Sequence, residues 1–146
     1  MKTRISFFIL ILLCLSLVSC GEKEQSSSKS KTDKSDFKAS CQVFSYDELL
    51  NNDQSLVGTN VKCTGKVISF SDEADGIVYF INITKDSFGD WYDTVCIKTS
   101  DSSPDESLVS EEITVYGVLE GIQSYSLVMG IPSDVPCINA EVLETN

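Results

Sequence analysis

Six cysteines carry most of the reactive potential of this chain: Cys14 and Cys20 near its start, then Cys41, Cys63, Cys96 and Cys137. A nucleophilic cysteine or serine needs a neighbouring base, and the chain contains no histidine, so neither a Ser-His nor a Cys-His pair can form. The same absence, with no C-x-x-C spacing, argues against zinc, because a four-thiolate cage would have to converge from distant positions. Carboxylate neighbours such as Asp105-Glu106 and Glu111-Glu112 suit acid–base work of the glycosidase kind, but charged neighbours in loops are ordinarily solvated surface. Phosphoryl chemistry needs cations around developing charge, and beyond Arg4 the chain has no arginine. These residues predict neither an enzyme nor a bound cofactor.

Two acidic groups come closer to a site. Asp72, Glu73 and Asp75 precede Gly76, and Asp86, Asp90 and Asp93 flank "SFGDWY". Clustered oxygen ligands suit Ca²⁺, which extracellular sites often hold only at about 10⁻⁴ to 10⁻³ M. Neither group has EF-hand spacing, and the competing reading is that Asp and Gly here simply form turns. Aromatic residues offer a different chemistry, that of recognition. Tyr79, Phe88, Trp91, Tyr92 and Tyr125 are the candidates, because exposed Trp and Tyr act as binding anchors; about half of such a set is expected inside a core instead. Trp91, beside Gly89 in a loop, is the first choice.

The elements that position these residues have a period of two. "TNVKCTGKVISF" alternates Val61, Cys63, Gly65 and Val67 with Lys62, Thr64 and Lys66, and "GIVYFINIT" over 76–84 is an apolar β-branched and aromatic run. "DTVCIKT" sets Val95 and Ile97 against Thr94, Cys96 and Lys98. "EITVYGVLEG" places Ile113, Val115, Gly117 and Leu119 on one side. "VPCINAEVLE" puts Ile138, Ala140 and Val142 inward and Cys137, Asn139 and Glu141 outward. Ser45-Tyr46-Asp47-Glu48 is a capping box ahead of a short helix, and Gly58 closes the region before the first strand. Ser103-Pro104-Asp105-Glu106 repeats the device, predicting a helical turn over 104–109. Three strands, a helix and two further strands is the order of a five-stranded OB barrel. The fold class expected is therefore all-β, a five-stranded OB-fold barrel with one or two short helices; a β-sandwich of five strands would be thin.

Strand faces bear on the thiols. Cys96 and Cys137 both face outward, and the third and fifth strands of an OB barrel are neighbours, so this pair can meet the short Cα separation of a disulfide. Cys41 would then pair with Cys63, which faces inward. Four unpaired thiols are the alternative, although an even number fits an oxidising compartment.

The N-terminus supplies that compartment. Met1-Lys2-Thr3-Arg4 is basic, and "ISFFILILLCLSLVS" is an apolar run of 15 residues ending at Cys20, which is the layout of a secretory signal and short of the roughly 20 residues a spanning helix needs. Leu17-Val18-Ser19-Cys20 resembles the bacterial lipobox, and the resemblance implies cleavage after residue 19 and lipid attachment at Cys20; two or more acyl chains anchor stably where one is marginal. Residues 20–38, rich in Ser and Lys with Phe37 as the sole large apolar side chain, predict a disordered, lipid-anchored linker of roughly 20 to 25 Å reach. Residues 39–146 form the folded domain. There four lysines stand against eighteen carboxylates, a net charge of −14, which disfavours nucleic acid as a partner and holds the domain off anionic lipid.

Tyr46-Asp47-Glu48-Leu49, Gly58, "VKCTGKV" at 61–67, "GDWYDTV" at 89–95, "ITVYG" at 113–117, Gly121, and Pro136 with Ile138 and Ala140 together resemble the small extracytoplasmic lipoproteins of Gram-positive bacteria whose OB domain is called tRNA-anticodon-like. The similarity runs over nearly all of 41–143. Asn51 stands where that pattern often has arginine, Asp53 where it has proline, and Cys63, Cys96 and Cys137 are additional cysteines. The resemblance implies an OB fold and a place on the extracytoplasmic face of the cell membrane, in the cell envelope, rather than RNA binding. The function expected is a non-catalytic binding or interaction module with a protein or small-molecule partner. The alternative is a small-ligand or Ca²⁺-binding sensor or accessory subunit of a cell-envelope system.

Overall fold

The structure is a computed structural model. It describes residues 26–51, 54–128 and 131–146, with side chains at 33–51, 54–127 and 131–146. The expected signal segment 1–19 and the lipid-attachment candidate Cys20 lie outside the described residues. The chain divides into two units, 1–32 and 33–146, and the second contains the barrel. Among the described residues no helix is long and apolar enough to cross a membrane.

The chain runs α1 (Ser26–Ser40), α2 (Tyr46–Asn51), β1 (Asn60–Glu73), β2 (Gly76–Lys85), β3 (Trp91–Thr99), a 3₁₀ turn (Glu106–Leu108), β4 (Glu112–Val128) and β5 (Ile131–Thr145). The strands close a barrel in the order β1-β2-β3-β5-β4, antiparallel except for the parallel β3–β5 seam. This is the OB arrangement that the order of elements predicts.

Alternation explains which side chains fill it. Val61, Cys63 and Val67 of β1, Ile77, Tyr79 and Ile81 of β2, Val95 and Ile97 of β3, Ile113, Val115 and Leu119 of β4 and Ile138 of β5 form one buried cluster, with Leu49 of α2 and Leu108 of the 3₁₀ turn plugging it. Fully burying a Val, Ile or Leu contributes about 1.5–3 kcal/mol each. The small residues are placed by contact: a Cβ at Gly65 would sit 2.5 Å from the Asn82 carbonyl oxygen, closer than any side chain tolerates. On β5 the predicted alternation breaks. Tyr116 lies opposite Val142 but Gly117 lies opposite Ala140, so Glu141 is an extra residue. That bulge turns Leu143, not Val142, onto the barrel core.

The helices differ from expectation in instructive ways. Ser45 and Glu48 form the predicted reciprocal cap, with the Ser45 N–H donating to the Glu48 carboxylate at 2.8 Å and the Glu48 N–H donating to Ser45 Oγ at 3.3 Å. The second helical turn is shorter than 104–109, and its cap is Asp105 rather than Ser103: Asp105 Oδ1 accepts from the Ser107 N–H at 3.0 Å. Residues 26–40 form helix α1 where a disordered linker is expected. The stretch holds no Gly or Pro to break a helix, and its last turns are held to the barrel. Lys38 pairs with Glu144 at 2.6 Å and lies 4.9 Å from the Tyr116 ring centroid. Gln42 then bridges to β1 in parallel, donating to Asn60 O and accepting from the Lys62 N–H.

The largest departure lies in β4 and β5. The stretch "IQSYSLV", beyond the predicted fourth strand "EITVYGVLEG", is also strand as far as Val128, and β4 pairs with β5 from Ile113 opposite Thr145 out to Val128 opposite Ile131. The outer part of this hairpin, 122–128 paired with 131–136, forms an arm. Its Tyr125 and Leu127 pack on a second apolar cluster made by Val78 and Phe80 of β2, Cys96 of β3, and Val135 and Cys137 of β5. All five of these residues alternate with barrel-core positions and so face away from the barrel interior.

Candidate functional site

The β2–β3 hairpin is rigid by construction. Asp86 Oδ1 accepts from the Phe88 N–H and the Asp90 N–H, both at 2.9 Å. The Asp86 N–H donates to Asp90 O, and its own carbonyl accepts from the Gly89 N–H. Gly89 takes the left-handed φ of 94° that this turn requires. The outcome is that Phe88 stands at the tip 91% exposed, an apolar ring held out by a turn that Asp86 cross-links behind it.

Trp91, the first choice from sequence, is instead the buttress. It is half-buried, Lys85 Nζ lies 4.9 Å from its ring centroid, and its carbonyl accepts from Asn82 Nδ2 at 3.0 Å. Lys85 also pairs with Glu112 at 3.0 Å, and Thr94 donates to Asn82 Oδ1 at 2.8 Å, so the base of the hairpin is cross-tied to β4. Tyr92 is 46% exposed. Phe88, Trp91 and Tyr92 therefore all lie at the turn end of the β2–β3 hairpin, with Trp91 and Tyr92 on opposite faces of β3.

Two other aromatic candidates belong elsewhere. Tyr79 is core: it is 1% exposed, its ring lies 6.2 Å from Phe70, and its hydroxyl accepts from the Asp105 N–H at 2.7 Å. The inward phase of β2 decides this. Tyr125 sits on the arm and meets Phe80 edge-to-face at 5.2 Å, so it covers the outer face of β2 and β3 instead of offering it. That face, with the adjoining loops, is where OB barrels usually bind. The signal for the covering was present in "GIVYFINIT", apolar on both phases as in a strand buried on both faces, and in the alternation of "QSYSL".

The acidic candidates do not converge. Asp72 and Glu73 are consecutive residues of β1, opposite Ile77 and Gly76, and consecutive strand residues point to opposite faces. Ala74 and Asp75 make the two-residue turn. Asp86 is spent on its own turn, and Asp93, with a φ of 66°, lies near Tyr46, whose phenol is pushed up by burial and then by Asp93 and Asp47. Among the described residues no group of three His, Cys, Asp or Glu could hold a metal ion.

The four thiols are free and occupy different environments. Cys63 lies in the barrel core, where burial pushes its thiol up to about 12. Cys41 donates to Phe37 O at 3.3 Å. Since Gln42 pairs with Val61, Cys41 falls beside Asn60, roughly 10 Å along the strand from Cys63; the expected Cys41–Cys63 bridge is thus not favoured by the register. Cys96 and Cys137 are directly opposite one another across β3–β5, both 0% exposed. The proximity of the two thiols pulls Cys96 down, aided by Tyr125 and Lys98, and pushes Cys137 up. Beyond this pair, a cleft of about 280 Å³ opens between Asp75, Lys98, Ser100, Glu120 and Asn139, with Lys98 paired to Glu120 at 2.9 Å.

The strand order defines the class: an OB-like five-stranded barrel. No family model matches the chain, and no curated protein matches it. Among solved structures it is similar to the small single-stranded DNA-binding protein from Streptomyces coelicolor, with 15% identity over 61% of this chain and 94% of that one, at a TM-score of 0.37. It is also similar to a putative aspartyl-tRNA synthetase from Leishmania major Friedlin, with 12% identity over 87% of this chain and a TM-score of 0.43. The match spans 23% of the synthetase's length. These likenesses are to the barrel fold alone.

Proposed function

We propose that this protein is a lipid-anchored, extracytoplasmic interaction module, attached to the membrane through Cys20 and binding a protein partner through the β2–β3 hairpin. The basic start, apolar run and Leu17-Val18-Ser19-Cys20 motif support the anchor and the address. One observation carries the interaction: Phe88 is 91% exposed on a turn whose hydrogen bonds are satisfied internally by Asp86. An ordered, protruding aromatic ring suits insertion into an apolar pocket. The exposed carboxylate of Asp90, two residues on, in a domain of net charge −14, suits a partner whose pocket is rimmed by Lys or Arg, and such complementarity steers association. The acidic domain, with four lysines after residue 38, is poorly suited to a nucleic-acid backbone. No catalytic role is proposed.

A second reading, a small-ligand accessory subunit, is favoured by the cleft beside Lys98 and Glu120. The test is crosslinking on intact cells followed by purification and mass spectrometry, for the wild type and for Phe88→Ala. A reproducible protein captured by the wild type and lost from Phe88→Ala supports the interaction module. Capture that Phe88→Ala leaves unchanged moves the interface off the hairpin, and consistently empty capture favours the small ligand.

A further inference from the structure

The barrel closes on unequal seams. β4 pairs with β5 along most of both strands and with β1 from Asn60–Val118 to Lys66–Glu112. By contrast, β3 meets β5 only over Cys96–Cys137, Ile97–Ile138 and Lys98–Asn139 among the described residues. At one end of that shortest seam the two opposed residues are both cysteines. Their strands are neighbours, so the Cα atoms are about 4.8 Å apart, inside the 4.4–6.8 Å window that a disulfide needs. The two residues are directly opposed and fully buried, and both lie under Tyr125 and Leu127 of the arm.

We propose that Cys96 and Cys137 are a dithiol–disulfide site that fastens the β3–β5 seam, and that the β4–β5 arm gates its exchange. The reaction is with a disulfide-bearing oxidant, either a small-molecule disulfide or a thiol oxidoreductase. When the arm lifts, the Cys96 thiolate attacks the oxidant's S–S bond, forming a mixed disulfide and releasing one thiol. Cys137 then loses its proton to solvent and attacks Cys96 Sγ, expelling the second thiol. Two protein thiols and one disulfide become one protein disulfide and two thiols, so electrons and protons balance. Cys96 is the first nucleophile because Lys98, two residues along the same face of β3, favours its thiolate, and a thiolate is the attacking species in exchange. Cys63, enclosed in the barrel with a raised thiol, stays out of the reaction.

Sequence provides a clean readout. Trypsin cuts after Lys38, Lys62, Lys66, Lys85 and Lys98, so Cys41, Cys63, Cys96 and Cys137 fall on the separate peptides 39–62, 63–66, 86–98 and 99–146. The full chain, reduced and then equilibrated with glutathione disulfide, is quenched, alkylated, digested and mapped, and its melting is followed with and without reductant. The expected result is a linked 86–98/99–146 pair, and a melting temperature on the order of 10 °C higher when oxidised. Cys137→Ser abolishes that difference. Tyr125→Ala should speed closure on the order of tenfold by loosening the arm. Peptides 86–98 and 99–146 that both remain alkylated after oxidation overturn the proposal, as does a bridge to 63–66. If Cys137→Ser does not fold, the wild-type peptide map and the reductant-dependent melt decide alone. If Tyr125→Ala does not fold, the gate is tested by labelling of wild-type Cys96, expected to be at least about 100-fold slower folded than denatured; equal rates remove the gate.

Discussion

The outer surface of β2 and β3 is used in two opposite ways. Toward Val78 and Phe80 it is apolar and closed, capped by Tyr125 and Leu127 of the chain's own arm. Toward the β2–β3 turn it is polar, carrying Asn82, which bonds Thr94 and the Trp91 carbonyl, and it ends in an open apolar tip at Phe88. One end thus spends its aromatic residues on stability, and the other presents them. The lesson is that aromatic content alone does not locate a binding surface. Tyr125 and Phe88 look alike in sequence, and they are separated by whether another strand reaches them.

Substitutions at the two ends sharpen that contrast. Phe80→Ala should have the largest effect, removing a 6%-exposed ring together with its edge-to-face contact: a loss of about 3 kcal/mol or more in denaturant unfolding, with hydrogen exchange rising first along the arm. Phe88→Ala should change stability by less than about 0.5 kcal/mol while weakening partner binding by about 2 kcal/mol, a thirtyfold change, read by calorimetry with the captured partner. A stability loss at Phe88 equal to that at Phe80 would break the comparison.

Alkaline titration probes the closed interior. Cys63 has its pKa raised from 9.0 to about 12 by burial, so the folded state prefers the protonated thiol. Its contribution is fully present below pH 9, and it is lost progressively as pH rises from 9 towards 12. Between pH 9 and 10 stability should fall by about 1 kcal/mol through this thiol, and Cys63→Ala should flatten that part of the melting profile. Asp86→Ala should cost about 1 kcal/mol and lower partner affinity severalfold by freeing the tip, a loss seen as increased mobility at Phe88 by NMR. Lys85→Met should be smallest, about 0.5 kcal/mol, because both its Glu112 and Trp91 contacts are partly solvated.

Much of the barrel was legible from alternation. Val61, Cys63, Gly65 and Val67 face inward as their spacing requires, and the Ser45–Glu48 cap stands where its motif lies. What alternation could not reveal is a residue count: the extra Glu141 reverses the phase of β5, exchanging Val142 for Leu143. Nor does period-two patterning say what covers an outward face, so the outward positions of Cys96 and Cys137 were readable and their burial was not. The site was less legible than the fold. Trp91 drew attention by type, yet the exposed side chain is Phe88, and the Asp86 turn that exposes it reads in sequence as one more acidic residue.

The arm also bears on how the chain folds. Its pairs around Val128 and Ile131 are close in sequence, whereas closing β1 on β4 joins Asn60 to Val118, a loop whose ordering entropy must be overcome before any reward. Hairpins form in about 1–10 μs, so the arm can exist before the barrel does. It then stands ready to shield Val78 and Phe80 from other chains while closure proceeds. Shortening the arm should therefore show first as aggregation during refolding at high protein concentration, and only afterwards as a lower melting temperature.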